Sequence, residues 1–445
     1  MSSHRHSEEI LRHNLRYIPG GIVSTNRAVK PSIAFTKAKG AWLWDADGKK
    51  YLDYHAAFGP YVLGHNDDEV NAAVSATLSS GASLFGSGPN VLEGELAELI
   101  CASVPMVDCI QMLNTGSEAT YQAIRLARAQ TGKIHIIKPQ GGYHGWHNDV
   151  AMNLMSPLSE IGPYVSPGEY KRMPISAGIP NEHMSIVHAV NFNDLASVEW
   201  VCERYPVAAM ILEPILQNIG VVKPDPGYLG GLRALADKFG FLLIFDEVKT
   251  GFRHALGGYA SLSGVRPDLI VYGKAIANGF PLAVLGGKRE YMDLFVASDP
   301  AKQVLLAGTY NGHPVPVAAA IATINKLAAN HGEIYGRLEF LGARMQAGLE
   351  SILKDLRIQG CVSRQGSAFC LYFMEKVPRN WHELSAGNDF GFDLSFRRLL
   401  IESGVYFLPL AVKQCSISAA HTEKDIDFTL EEVAKALKTL RKNVA

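Results

Sequence analysis

Residues 241–253 read F-L-L-I-F-D-E-V-K-T-G-F-R. Five apolar residues run straight into two carboxylates, Asp246 and Glu247. A run of that kind suits a strand covered on both faces, as in a parallel sheet. Such a strand has no use for an acid at its end, and burying a charge without a partner is costly. A second stretch answers the first. L-I-V-Y-G-K-A-I-A-N-G-F-P places Lys274 directly behind another apolar run, about one strand–helix–strand unit further on.

Working outward, short apolar runs alternate with helical stretches. C-I-Q-M-L, I-H-I-I-K, A-A-M-I-L, F-L-L-I-F and D-L-I-V-Y are separated by helical patterns that include residues 118–130 and 228–239. This alternation predicts an α/β fold with a mostly parallel sheet and helices on both faces. Before it lie a helical stretch at 8–17 and a hairpin, A-W-L-W-D-A-D-G-K-K-Y-L-D-Y, turning at Asp47-Gly48. After it come long helices at 317–330 and 336–356, short strands at 367–374 and 405–408, and a final helix from 423. The expected division is a large domain over 61–314 and a smaller α/β domain from 1–60 and 315–445.

The bulk numbers fit an ordinary globular enzyme. The 445 residues are 47% hydrophobic and 19% charged, with a formal net charge of −1. Nothing in that balance draws the chain to nucleic acid or an anionic membrane. No apolar run approaches the roughly 20 residues that span a bilayer. The opening M-S-S-H-R-H-S-E-E-I lacks the apolar core of a secretory signal. Six cysteines without metal spacing read as reduced thiols, mostly packed in cores, so no metal and a cytoplasmic location are expected.

In an open α/β sheet, ligands collect at the carboxyl ends of the strands. Those ends carry Asn114-Thr115-Gly116-Ser117, Gly141-Gly142-Tyr143-His144, Glu213, Asp246 and Gly273-Lys274. Thr115 and Glu118 fit a capping box, and the free amides behind them, with the Ser117 hydroxyl, form a cradle for a phosphate. A well-capped helix needs no ligand, and the motif alone does not choose. G-x-x-x-x-G-K-[ST] is absent and no G-x-G-x-x-G follows the early strands, which leaves a phosphate ester smaller than ATP or NAD. Lys274, among Gly, Ala and Ile, is pushed toward its neutral, nucleophilic form. A carboxylate such as Asp246 keeps a buried pyridine nitrogen protonated and makes the ring an electron sink. With Tyr143 as a stacking face, these are the parts of a pyridoxal-phosphate site. Glu247 is left as structural.

L-L-I-F-D-E-V-K-T-G-F-R and G-K-A-I-A-N-G-F-P together resemble the signature of the class III aminotransferases, a fold-type I pyridoxal-phosphate family. Within it, G-P-Y-V-L-G-H-N, E-A-T-Y-Q-A-I-R-L-A-R and G-Y-H-G are similar to the glutamate-1-semialdehyde aminomutases. The resemblance implies a mostly parallel seven-stranded sheet and a smaller domain from both chain ends. It implies that Lys274 forms the internal aldimine and moves the proton. Asp246 would pair with the pyridinium, with Val248 on one ring face and Tyr143 and His144 in the facing loop. Gly116 and Ser117 would hold the phosphate, and Glu213 and Asn218 would lie near the phenolic oxygen. Thr309, in G-T-Y-N-G-H-P, would reach the phosphate of a neighbouring subunit, so a homodimer with shared sites is implied.

Arg27 falls where the aminomutases bind the substrate carboxylate, and a guanidinium fork suits that group. Two other substrate positions depart from them. Phe58 stands in place of a tryptophan, and Lys413 in place of a glutamate. The segment from 153 to 168, matching their gating loop, also lacks their small-residue pattern. The expectation is therefore a transaminase, working in ping-pong fashion from a small-molecule amino donor, such as a β- or ω-amino acid or an amine, to a keto acid acceptor. The alternatives are the aminomutase isomerisation and a catalytically inactive pyridoxal-phosphate-binding protein.

Overall fold

The stretch that opened the sequence forms the middle strand of a seven-stranded sheet in the computed structural model, which describes residues 4–444. Met1–Ser3 of the opening stretch and Ala445 lie outside it. The described chain divides into two compact units. One takes the chain up to Asp67, Arg337–Val377 and the chain from Asn388, and the other takes Asp68–Gly336 with Pro378–Gly387. The division therefore falls within the helical stretch Pro314–Leu356, between Gly336 and Arg337, rather than ahead of it.

The sheet belongs to the second unit. Numbered along the chain, its strands are β1 (Cys109–Leu113), β2 (His135–Pro139), β3 (Val187–Val190), β4 (Val207–Leu212), β5 (Leu242–Glu247), β6 (Leu269–Tyr272) and β7 (Ala283–Gly287). Their spatial order is β1-β7-β6-β5-β4-β2-β3. β6, β5, β4, β2 and β3 are parallel neighbours, and β7 runs antiparallel to both β6 and β1. Every residue of β4, β5 and β6 is buried, as all-apolar strands covered on both faces require. Leu243, Ile244 and Phe245 expose nothing. Burying each such side chain contributes roughly 1.5–3 kcal/mol.

β3 and β7 were not anticipated. β3 has only four residues, and β7 ends in Gly286-Gly287. Those glycines are packing residues: a Cβ on Gly286 would stand 2.8 Å from Val107 Cγ1, and one on Gly287 2.7 Å from Leu269 Cδ2. Two helices matter for the site. α1 (Gly116–Thr131) follows β1, and α2 (Tyr228–Phe239) leads into β5. The long stretch Pro314–Leu356 leaves helical geometry at Ala329–Gly332, so it is two helices, as the sequence predicts.

The unit built from both chain ends holds the expected hairpin. Trp42–Asp45 and Lys50–Asp53 pair antiparallel around Gly48, whose φ of 84° needs glycine, while Val405–Tyr406 joins them in parallel. A second small sheet contains Cys361–Gln365, Ala368–Tyr372 and Cys415–Ser416. Only Cys370 and Cys415 are fully buried; the other four free cysteines are half-buried, so core packing accounts for fewer of them than expected. Among the described residues, no helix is long and apolar enough to cross a membrane.

Glu247 resolves half of the opening question. Its carboxylate accepts from the Ala260 and Tyr259 amides at 2.7 Å each and from the Thr250 hydroxyl at 2.8 Å. It is an internal brace that fastens the following turn and helix to β5. Burial nevertheless raises its pKa from 4.5 to about 7. The folded pKa exceeds the unfolded one, so this group's stabilising share is full below about pH 4.5 and fades as pH rises toward 7. Glu247→Gln leaves a buried amide donor unsatisfied, and should cost about 2–4 kcal/mol in urea unfolding and flatten that part of the pH–stability curve.

Candidate active site

β4, β5 and β6 lie side by side and point the same way, so the residues at their carboxyl ends share one edge of the sheet. Glu213 follows β4, Asp246 sits in the last turn of the β5 ladder opposite Val271, and Gly273-Lys274 follows β6. Asp246 and Lys274, read as partners in the sequence, are thus on neighbouring strands.

Asp246 is buried, and its two oxygens are engaged differently. Oδ1 accepts from the Val248 amide at 3.1 Å, and Oδ2 meets His144 Nδ1 at 2.8 Å. A carboxylate accepts, so His144 carries its proton on Nδ1, and its buried Nε2 faces no hydrogen-bond partner. Two bonds leave Asp246 with lone pairs for a third donor, which a protonated ring nitrogen would supply.

Lys274 has φ of 48°, an unusual conformation for a residue with a Cβ, costing about 1–3 kcal/mol. Burial lowers its pKa, Asp246 and Glu213 pull it back, and Arg253 pushes it down again. The net direction favours a neutral amine beside two acids. Burial also raises the pKa of Glu213, with His144 opposing and Asp246 reinforcing the shift. Its oxygens accept the Tyr143 and Gln217 amides, each at 3.0 Å. Glu213 therefore braces the Tyr143 loop against the end of β4.

The capping box at the start of α1 forms as its residues dictate. The Glu118 amide donates to Thr115 Oγ1 at 3.3 Å, and Glu118 Oε2 accepts the Thr115 amide at 3.0 Å and the Asn114 amide at 2.8 Å. That arrangement leaves the first amides of α1 pointing outward. Gly116 is required there: a Cβ would stand 2.9 Å from Val248 Cγ2. A Cβ on Gly145 would likewise stand 2.6 Å from Ser117 Oγ, and the Thr120 hydroxyl donates to the His144 carbonyl at 2.6 Å. The start of α1, the Tyr143–Gly145 loop and the Val248 turn are thereby drawn together.

This donor set fits a phosphorylated pyridine aldehyde. Helix-start amides suit the phosphate, Asp246 suits a protonated ring nitrogen, and the Lys274 amine suits the aldehyde. Gly116, Ser117, Tyr143, His144, Glu213, Asp246, Val248 and Lys274 all belong to this cluster, and Asn218 lies half-buried in the loop behind Glu213. Thr309 does not join it. It is exposed, on a cavity of about 430 Å³ that it shares with residues 83–90. Arg27, Phe58 and Lys413 lie on the other unit: Arg27 is exposed in a short turn, Phe58 packs its ring 4.3 Å from His55, and Lys413 is half-buried. Sequence reasoning placed His144 in the cofactor loop but missed its bond to Asp246, and missed Thr120 and Gly145 altogether. Only the adjacency of His144 to Tyr143 hinted at the first.

The family model for class III aminotransferases matches residues 23–438. A glutamate-1-semialdehyde 2,1-aminomutase from Methanothrix thermoacetophila is 38% identical, over 97% of this chain and 96% of the relative. An omega-transaminase from Sphaerobacter thermophilus superposes with a TM-score of 0.90 at 28% identity, covering 98% of each chain. A transaminase solved with PLP bound superposes with a TM-score of 0.87 at 25% identity, covering 100% of each.

Two substitutions test the cluster. Lys274→Ala should fold normally yet keep no coenzyme covalently after borohydride reduction, as read by mass, and should show no turnover. Asp246→Asn replaces a charge with a neutral amide, and should lower kcat by about 10²-fold or more with coenzyme still bound.

Proposed function

The chain belongs to the class III aminotransferases, a pyridoxal-phosphate family, and within that family we propose that it is a transaminase acting on a carboxylate-bearing amino donor. Bound pyridoxal phosphate supplies an aldehyde that captures the substrate amine and a ring that takes up electrons. The rest falls to the chain's own residues. Lys274 Nζ, kept toward neutrality by burial, takes the proton from the carbon that bears the amine and returns it elsewhere. Asp246 holds a proton on the ring nitrogen, and His144 fixes the orientation of that carboxylate. Glu213 holds the Tyr143 loop in place, Val248 and Tyr143 would take the two faces of the ring, and Asn218 would lie toward its phenolic oxygen.

Lys413 carries the choice of reaction. A base where the aminomutases have an acid favours an anionic substrate group and, with Arg27, a bound carboxylate. Phe58 in place of their tryptophan is a second departure from the aminomutases. Nitrogen would pass from a donor such as a β- or ω-amino acid to the enzyme, and then to a keto acid. A homodimer would complete each site through Thr309. Exposed Trp146 and Phe85 line the cavities on either side of Gly308–Asn311, a surface suited to a second copy of the chain.

The aminomutase reaction is the second reading, and the 38% identity to curated aminomutases over nearly the whole chain favours it. One experiment separates the two. The holoenzyme is given α-, β- and ω-amino acids with and without pyruvate or 2-oxoglutarate, and glutamate-1-semialdehyde alone. Turnover that requires the keto acid supports the transaminase. Isomerisation of the semialdehyde without any acceptor overturns it.

A further inference from the structure

In the unit built from both chain ends, the helix Phe390–Glu402 carries two buried charges one turn apart, Asp393 and Arg397. Arg397 Nε donates to Asp393 Oδ1 at 2.7 Å. Three further hydrogen bonds of the pair end on the backbone of residues 408–413. The Arg397 guanidinium donates to the Leu408 carbonyl at 3.2 Å and the Lys413 carbonyl at 3.0 Å, and Asp393 Oδ2 accepts the Val412 amide at 2.6 Å.

That backbone is strained. Val412 is buried with φ of 54°, a conformation that a β-branched side chain strongly disfavours. Such strain persists only where the surroundings enforce it. A buried ion pair is also a poor way to gain stability, because well-packed apolar side chains do as well or better. Both features make sense if the shape of residues 408–413 matters more than its energy. Lys413 is the next residue after the strained one.

We propose that Asp393 and Arg397 are positioning residues for substrate specificity, locking the backbone on both sides of Lys413 so that its ammonium meets the carboxylate of the donor. This rests on the role given above to Lys413. The substrate class it selects is an amino compound bearing a carboxylate, in preference to a plain amine.

The test needs no turnover. Pentanoate and pentanamide, which have no amine to react, are titrated calorimetrically into the full-length protein loaded with pyridoxal phosphate. Arg397→Met and Lys413→Met should each raise Kd for pentanoate about tenfold and leave pentanamide unchanged, and the double variant should be no weaker than either single one. A tenfold loss in Lys413→Met with none in Arg397→Met overturns the positioning role alone. No loss in Lys413→Met overturns the role of that lysine as well. Effects that multiply in the double variant, or weaken both probes alike, also overturn the inference. Should Arg397→Met not fold, Val412→Gly addresses the same loop. Glycine accepts φ of 54° freely, and that relief offsets part of what is lost with the buried Val412 side chain, so the variant should still fold while pentanoate binding weakens several-fold. Unchanged pentanoate binding in that variant overturns the proposal.

Discussion

A carboxylate buried at the end of the central strand sets the terms for everything around it. Asp246 would be a liability in an all-apolar strand were it not for the Val248 amide and the His144 ring. Those bonds satisfy part of its acceptor capacity and leave the rest directed outward, which a solvent-free pocket must fill with a cation or a donor. The neighbouring Lys274 cannot be that partner without giving up its own chemistry. Burial already lowers its pKa, and a strained backbone holds it where it is. A protonated ring nitrogen would meet the need of Asp246 and leave the Lys274 amine to its own task, so acid and amine would act on one ligand rather than on each other.

Strand order makes this possible. Because β4, β5 and β6 are adjacent and parallel, Glu213, Asp246 and Lys274 leave the sheet at one edge although long stretches of chain separate them. The loop from Gly141 to Gly145 closes over that edge through contacts of a different kind. Glu213 holds it by a backbone amide, Thr120 by a backbone carbonyl, and Asp246 by a side chain. One loop thus ties the start of α1 to the ends of β4 and β5, and a shift in any of the three would be felt by the others.

Much of this was legible because it depends on local pattern. Apolar runs announced β4, β5 and β6, and Thr115 with Glu118 announced the capped start of α1. Glu247 read as structural and proves to be a brace. The silent features depend on distance along the chain or on conformations that sequence does not encode. His144 meets Asp246 across a long loop, and no local rule pairs them. β7 was hidden by glycines placed for packing against Val107 and Leu269. Positive φ at Ala56, Ala57, Phe58 and Val412 is invisible where no glycine marks it.

Those last residues bear on the choice between two reactions of one coenzyme. The residues around Asp246 and Lys274 suit either reaction, since both begin by moving a proton beside an amine. The difference must lie in what holds the remainder of the substrate. Phe58 and Lys413, two of the positions that depart from the aminomutases, both sit on left-handed or adjoining backbone beside a buried aspartate. Asp53 accepts the His55 and Ala56 amides and the His65 ring, as Asp393 accepts the Val412 amide and Arg397. Strain enforced at two of the positions that depart from the aminomutases would put part of the selectivity in the unit built from the chain ends, and would leave the sheet edge to a chemistry shared by the whole family.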